Sequence, residues 1–402
     1  MRISTSQMYQ QGVNAMLEQQ ANLVKTQQQL ATGRRILTPA DDPAGSAQAL
    51  DLNQSLDTTK QYQNNANAAS ARLGIEDSTL ASVSDILQRV RELTVQANTA
   101  TQTNETRAAI AQEVRQRLTQ LLDLANTRDA NNEYIFAGYQ GQTRPFASTG
   151  SGFTYSGDQG SRYLQIGPST QVAMGDSGSD VFMAIRNGNG TFATQDNIAN
   201  AGTSLIDAGT VSGTFVSDTY TITFTQALPT DPITYSVTGV TSGAVLTNVP
   251  YTSGADIVFN GVDVKVTGTP ANTDSFTVSP SVSQDAFTTV QNFVDALQTS
   301  ASSPTALAGV NNAMGRTLTD IDQALGNILS VRARVGARVN TIDSQQDTNN
   351  AFTLQMQQTL SQVQDLDYAE AASRLNLQQT ILQAAQQAFI KVQGLSLFNF
   401  LR

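Results

Sequence analysis

Leu307-Ala308-Gly309-Val310-Asn311-Asn312-Ala313-Met314 opens the stretch that decides the fold. Ile321, Ile328, Val335 and Ile342 continue the line of Leu307 and Met314 at seven-residue steps, and Val310, Leu325 and Val339 fill the turns between them. An apolar residue kept at every seventh position belongs to a helix buried along one narrow seam against other helices. The spacing predicts a helix over about 305–362, roughly 85 Å long at ~1.5 Å per residue. Such a length suits a rod and has little use in a compact enzyme.

Working outward, Ser302-Ser303-Pro304 breaks the pattern upstream, and before it Ala286, Val290, Phe293, Val294 and Leu297 predict a short amphipathic helix. Downstream, from about residue 368, Ala371, Leu375, Gln378, Leu382, Ala385, Phe389 and Val392 are spaced in alternating steps of four and three. The beginning of the chain mirrors this end. Tyr9, Met16, Leu23 and Leu30 recur every seven residues, flanked by Val13, Leu17 and Val24, until Gly33 supplies a C-cap. Thr38-Pro39-Ala40-Asp41-Asp42-Pro43-Ala44-Gly45 is turn chemistry. A second helix, starting near Ser46, carries the seam Leu80, Val83, Leu87, Val90, Thr94 and Ala97. After a polar break at 99–104, a third carries Ile110, Val114, Leu118, Leu121, Leu122 and Ala125.

The middle reads differently. Residues 137–284 hold no Glu and only four Lys or Arg. Tyr220, Ile222 and Phe224 alternate with Thr, as do Ile233, Tyr235 and Val237, and Val262, Val264 and Val266 alternate with polar residues. Period two with β-branched residues predicts half-buried antiparallel strands. Asn260-Gly261 lies between two such runs and predicts a hairpin turn. The expected organisation is mainly α with a β insert: a long antiparallel helical bundle or coiled coil built from both chain ends, carrying a projecting antiparallel β domain. Terminal assembly segments take 1–45 and 363–402, a helical rod 46–136 and 285–362, and a β-rich outer domain 137–284, with a looser lobe around 150–210.

Composition narrows the function. Charged residues are 14% of the 402, against an ordinary ~25%. The net charge of −10 is spread thinly and offers no basic stripe for nucleic acid. The chain has no Cys, His or Trp. Thiolate chemistry, the commonest general base and the commonest metal ligands are therefore closed to it, and no catalytic, cofactor or metal residues are expected. The opening residues lack the apolar run of a secretory signal, and no stretch has the ~18–20 apolar residues of a membrane span.

The rod core is expected at Leu80, Val83, Leu87, Val90, Leu307, Met314, Ile321, Ile328, Val335 and Ile342. The two ends pose a different problem. Isolated helices with an apolar stripe in water lack the packing that stabilises most protein helices. Pairing of the ends with each other still leaves Leu17, Val24, Leu377 and Ile381 on the outside. Both ends are thus expected to order fully only against further copies, through Tyr9, Met16, Leu23, Leu30, Leu375, Leu382, Phe389, Val392, Phe398 and Phe400.

These ends also resemble a known family. Met1-Arg2-Ile3-Ser4-Thr5-Ser6-Gln7-Met8-Tyr9, Leu30-Ala31-Thr32-Gly33-Arg34-Arg35-Ile36 with Pro39-Ala40-Asp41-Asp42-Pro43-Ala44-Gly45, and Asn132-Glu133-Tyr134-Ile135-Phe136-Ala137-Gly138 are similar to motifs of the bacterial flagellin superfamily. So are Val335-Gly336-Ala337-Arg338-Val339-Asn340 and Asp367-Tyr368-Ala369-Glu370-Ala371. The opening and the closing Leu395-Ser396-Leu397-Phe398-Asn399-Phe400-Leu401 look more like the hook-associated protein 3 family, the hook–filament junction proteins, than like flagellin. The resemblance spans roughly the first 140 and last 120 residues. It implies a structural part of the extracellular flagellum, exported by the type III route without a cleaved signal. It also implies a chaperone on the C-terminal region, a self-assembled tubular lattice, and neighbours in hook-associated protein 1 and flagellin. Flagellin itself, or a secreted coiled-coil adhesin, are the alternatives.

Several single residues admit a sharper and a plainer reading. Asp41 and Asp42 read as an acid pair, or as a turn with Asp42 or Ser46 capping the next helix. Asp176 and Asp180 read as calcium ligands without the EF-hand spacing, or as a surface loop. Arg332, Arg334 and Arg338 read as partners of Asp365, Asp367 or Glu370 of another segment or another subunit, or as a solvated face. Gln378 sits on the terminal seam, where a polar residue either sets register or is merely tolerated.

Overall fold

The computed structural model describes residues 5–99, 102–150, 152–228 and 230–398, with side chains from residue 7 to residue 391 within those ranges. Six α-helices frame a β-rich middle: α1 Thr5–Thr32, α2 Pro43–Ala97, α3 Asn104–Ala125, α4 Ala286–Gln298, α5 Pro304–Gln364 and α6 Tyr368–Phe398. By contact the chain forms two compact units, residues 1–64 with 345–402 and residues 65–344. Among the described residues no helix is long and apolar enough to cross a membrane.

Residues 65–344 contain the helical core. Leu80, Val83, Leu87 and Val90 of α2 are buried together with Met314, Ile321, Ile328, Val335 and Ile342 of α5. Leu307 departs from this: it is half-buried on the first turn of α5, where Ala308 and Val310 are the buried residues. α4 adds Val290, Phe293, Val294 and Leu297, and α3 adds Ile110, Val114 and Leu121. Asp285 caps α4 by accepting the Thr288 N–H at 2.6 Å. Thr103 and Thr106 form a reciprocal capping box on α3. α3 stops at Ala125, and residues 126–136 are turns and an isolated bridge, so helix ends short of the 136 expected for the rod.

The β region has two allegiances. Five antiparallel strands form one sheet in the order 243–250, 234–239, 220–225, 275–280, 192–196. A smaller sheet pairs 256–259 with 262–267 and 262–267 with 205–206. Tyr220, Ile222, Phe224, Tyr235, Val237, Val262, Val264 and Val266 fill a core of their own, as the alternation predicts. Asn260 and Gly261 close the hairpin with φ of 43° and 83°, the left-handed values a two-residue turn needs. Residues 146–185 behave otherwise. Phe146 and Phe182 pack on Phe287 of α4, with ring centroids 5.2 and 5.6 Å from it, and belong to the helical core.

Candidate functional site

The residues expected to build an assembly surface lie on α1 and α6, which pack against each other in the unit of residues 1–64 and 345–402. Tyr9, Met16, Leu23 and Leu30 of α1, and Leu375, Leu382 and Phe389 of α6, are all half-buried; none is fully covered. Tyr9 meets Phe389 edge to face, with centroids 6.0 Å apart and planes at 81°. Gly12 lets the ring approach, since a Cβ there would stand 3.3 Å from the Phe389 edge. A second apolar row remains in solvent: Leu17, Val24, Leu377, Ile381 and Ile390. Gln378 is half-buried, and its Oε1 accepts no hydrogen bond among the described residues. The side chains of Val392 and Phe398, and all of Phe400, lie outside the described residues.

The segment joining α1 to α2 is clamped against the end of α5 and the link from α5 to α6. Arg35 donates from Nη2 to the Val363 carbonyl at 2.7 Å and from its backbone N–H to Gln364 at 2.8 Å. Leu366 N–H donates to the Gly33 carbonyl at 3.0 Å, and Gln29 Nε2 to the Arg35 carbonyl at 2.6 Å. Ile36, Leu366 and Ala371 are buried at this joint. Lys25 stands 2.6 Å from Asp41, and this contact, with N–H donation from Thr38 and Leu37, holds the Asp41 carboxyl down to about 2. Asp42 accepts the Gly45 N–H at 2.9 Å and so caps α2, the plainer of the two readings.

The arginines of α5 find their partners within residues 65–344. Arg332 pairs with Asp77 at 2.9 Å, Arg338 holds Asp176 through two bonds of 2.9 Å, and Arg334 reaches Asp176 at 3.6 Å. The long separation in sequence between these partners left no local signal. Asp176 is buried and committed to arginine, so it is neither a calcium ligand nor a surface loop residue. Beside it lies Glu76, which sequence reasoning passed over. Glu76 is 1% exposed. Burial, then the neighbouring Asp176 carboxylate, push its carboxyl up to about 8 against the opposing pull of the Asp176 N–H, Arg338 and Arg72. A signal was available: the step from Leu73 to Leu80 places Glu76 on the apolar seam of α2, where a charged residue has no ordinary place.

A cleft of about 570 Å³ opens between the β region and α4 and α5. Its charged groups are already engaged: Arg316 pairs with Asp196, and Asp320 accepts the Gly188 N–H at 2.7 Å and Gln284 Nε2 at 3.2 Å. Among the described residues no group of acidic side chains converges as metal ligands do.

Two family models match, the bacterial flagellin N-terminal helical region over residues 3–141 and the C-terminal helical region over residues 318–401. Flagellin of Escherichia coli K12 is 30% identical over 124 residues, 31% of this chain and 25% of that protein. Flagellar hook-associated protein 3 of the same organism is 28% identical over 399 residues, 99% of both chains. The crystal structure of flagellar hook-associated protein 3 from Legionella pneumophila superposes with a TM-score of 0.75 at 34% identity, covering 78% of this chain and 98% of that one. The chain belongs to the flagellar hook-associated protein 3 family.

In this hook-associated protein 3 family member the motifs have physical reasons. Gly33 ends α1 at φ 69°, and a Cβ there would stand 2.7 Å from the Tyr368 hydroxyl. Gly45 is hemmed by Asp42 and Ile36, at 2.6 and 2.8 Å from the place a Cβ would take. In the 132–138 motif, Glu133 accepts from Arg162 at 2.7 Å while Ile135, Phe136 and Ala137 are buried.

Proposed function

We propose that this chain is a structural subunit joining hook to filament in the bacterial flagellum, assembling through α1 and α6. The observation that carries the reading is the double character of these helices. Their inner rows half-cover each other, and an outer row of Leu17, Val24, Leu377, Ile381 and Ile390 stays in water. Further copies of the chain in a tubular lattice give that row a partner. In contrast, the seams of α2 and α5 between Ala66 and Ile342 are closed within the molecule.

The same reading sets the finer organisation. Residues 1–45 and 363–402 form the assembly layer, residues 46–136 and 285–362 the helical body, and residues 137–284 the outer domain. Hook-associated protein 1 stands on the hook side and flagellin on the filament side. A type III export chaperone covers the C-terminal region before export, the protein ends up in the extracellular flagellum, and its work is mechanical, not catalytic.

Deleting residues 380–402 tests this. Incorporation into flagella is expected to stop while the body between 65 and 344 keeps its fold by circular dichroism. Unchanged assembly of the truncated chain refutes the assignment. Deleting residues 190–280, which leaves the 146–185 part of the helical core in place, separates the adhesin alternative, because joining and motility survive if the helical layers do the work. Immunogold labelling places a junction protein at one position, and flagellin along the whole filament.

A further inference from the structure

We propose that Glu76 is a proton-holding latch: its side chain carries a proton in the folded protein, the body takes up that proton on folding, and loss of it loosens the 174–178 segment from α2 and α5. Glu76 Oε1 accepts the backbone N–H of Asp176 at 3.0 Å, and Oε2 accepts from no group among the described residues. Each guanidinium near it is engaged elsewhere. Arg338, from α5, holds both oxygens of Asp176. Arg334 leans on the same carboxylate at 3.6 Å. Arg72, one turn back on α2, is 2.6 Å from Asp129 and 3.7 Å from Glu133, and Glu133 is also held by Arg162.

An ionised Glu76 would thus place a second negative charge beside Asp176 in a site closed to water, with no cation of its own. Two adjacent carboxyl groups under those conditions keep one proton between them. Asp176 has the arginines, so the proton belongs to Glu76. The latch matters because the segment it holds is a junction. Met174 N–H donates to the Arg162 carbonyl and Gly178 N–H to the Phe136 carbonyl, each within 3 Å, so 174–178 ties the 134–138 motif to both long helices.

The sign follows from linkage. The folded state holds the proton more tightly than the unfolded chain, so stability is full below the ordinary glutamate range and falls as pH rises toward about 8. Within that window the folding constant falls about tenfold per pH unit on account of this group. Asp320 is also raised by burial and slopes the same way, so the comparison must be with a variant rather than with a flat line.

Urea unfolding of the full chain is followed by circular dichroism between about pH 5 and pH 9, for wild type, Glu76→Gln and Asp176→Asn. Wild type is expected to lose stability with rising pH about tenfold per unit more steeply than Glu76→Gln. Asp176→Asn, which frees Arg338 for Glu76, is expected to reduce that extra slope. Parallel curves for wild type and Glu76→Gln overturn the proposal. Infrared spectra of wild type carrying ¹³C-labelled glutamate decide the matter even if neither variant folds. A protonated glutamate C=O band at about pH 6.5 that fades by about pH 9 supports the latch, and its absence from the folded protein overturns it.

Discussion

Replacing Ile390 by Ala separates the two rows of α6. Ile390 is 66% exposed, one residue beyond Phe389, whose ring faces Tyr9. In the isolated chain Ile390→Ala gives up at most the third of the side chain already covered, roughly 0.5–1 kcal/mol, and exchanges a β-branched residue for the best helix former, which offsets much of it, so the net effect on α6 is within about 0.5 kcal/mol. In the proposed lattice the same side chain is covered. Full burial of an isoleucine is worth about 1.5–3 kcal/mol, and two-thirds of it remains to be gained here, which gives roughly 1–2 kcal/mol for each subunit added. The critical concentration for polymerisation should therefore rise roughly 5–30-fold, while the urea midpoint of the monomer stays where it was. Sedimentation of assembled protein against total concentration measures the first, and circular dichroism the second. A critical concentration within about twofold of wild type, or a monomer destabilised by about 1 kcal/mol, would contradict the idea that the outer row serves neighbouring copies.

Other expectations bear on the body and the joint. Ile328 is fully buried and Leu329, its neighbour, is 55% exposed; truncation to Ala should cost about 2–5 kcal/mol at the first and under about 0.5 at the second, read from urea midpoints. Gly33→Ala forces a left-handed residue and a collision with the Tyr368 hydroxyl, and should speed amide exchange in α1 and at the start of α6 while leaving α5 between 307 and 342 slow. The Asp41 carboxyl is held below its ordinary range, so the help it gives the joint is complete above about pH 4 and disappears as pH falls through about 2; in Asp41→Asn, crosslinking or exchange at residues 33–42 should no longer change across that interval.

Much of this fold was legible because a buried helix seam writes itself into one chain segment. The line from Met314 to Ile342 needs no knowledge of its partner to be seen, and neither does the alternation of Tyr220, Ile222 and Phe224. Turn chemistry was legible for the same reason. Asp42 and Gly45 act within three residues of each other, and so do Asn260 and Gly261. What escaped was pairing at a distance. Arg338 meets Asp176 across 162 residues and Arg332 meets Asp77 across 255, and nothing in the neighbourhood of either arginine names its partner. The allegiance of residues 146–185 escaped as well, because it depends on where Phe146 and Phe182 find other rings and not on any period in their own strands.

The one distant arrangement with a local trace is the one that breaks a rule. A seam tolerates threonine at position 94 because its hydroxyl returns to the Val90 carbonyl at 2.8 Å; a glutamate at position 76 has no such local remedy and must find its answer elsewhere in the fold. Read that way, the misplaced charge announces that something from outside α2 reaches the seam at that level. The loop carrying Asp176 does so, and brings the arginines of α5 with it. The terminal seams have the opposite signature. They are apolar almost throughout, yet beyond Ala371 at the joint no described apolar residue on them is fully covered by the chain that carries them. A charge inside a closed seam points to a partner within the molecule, whereas apolar side chains along an open one point to partners beyond it.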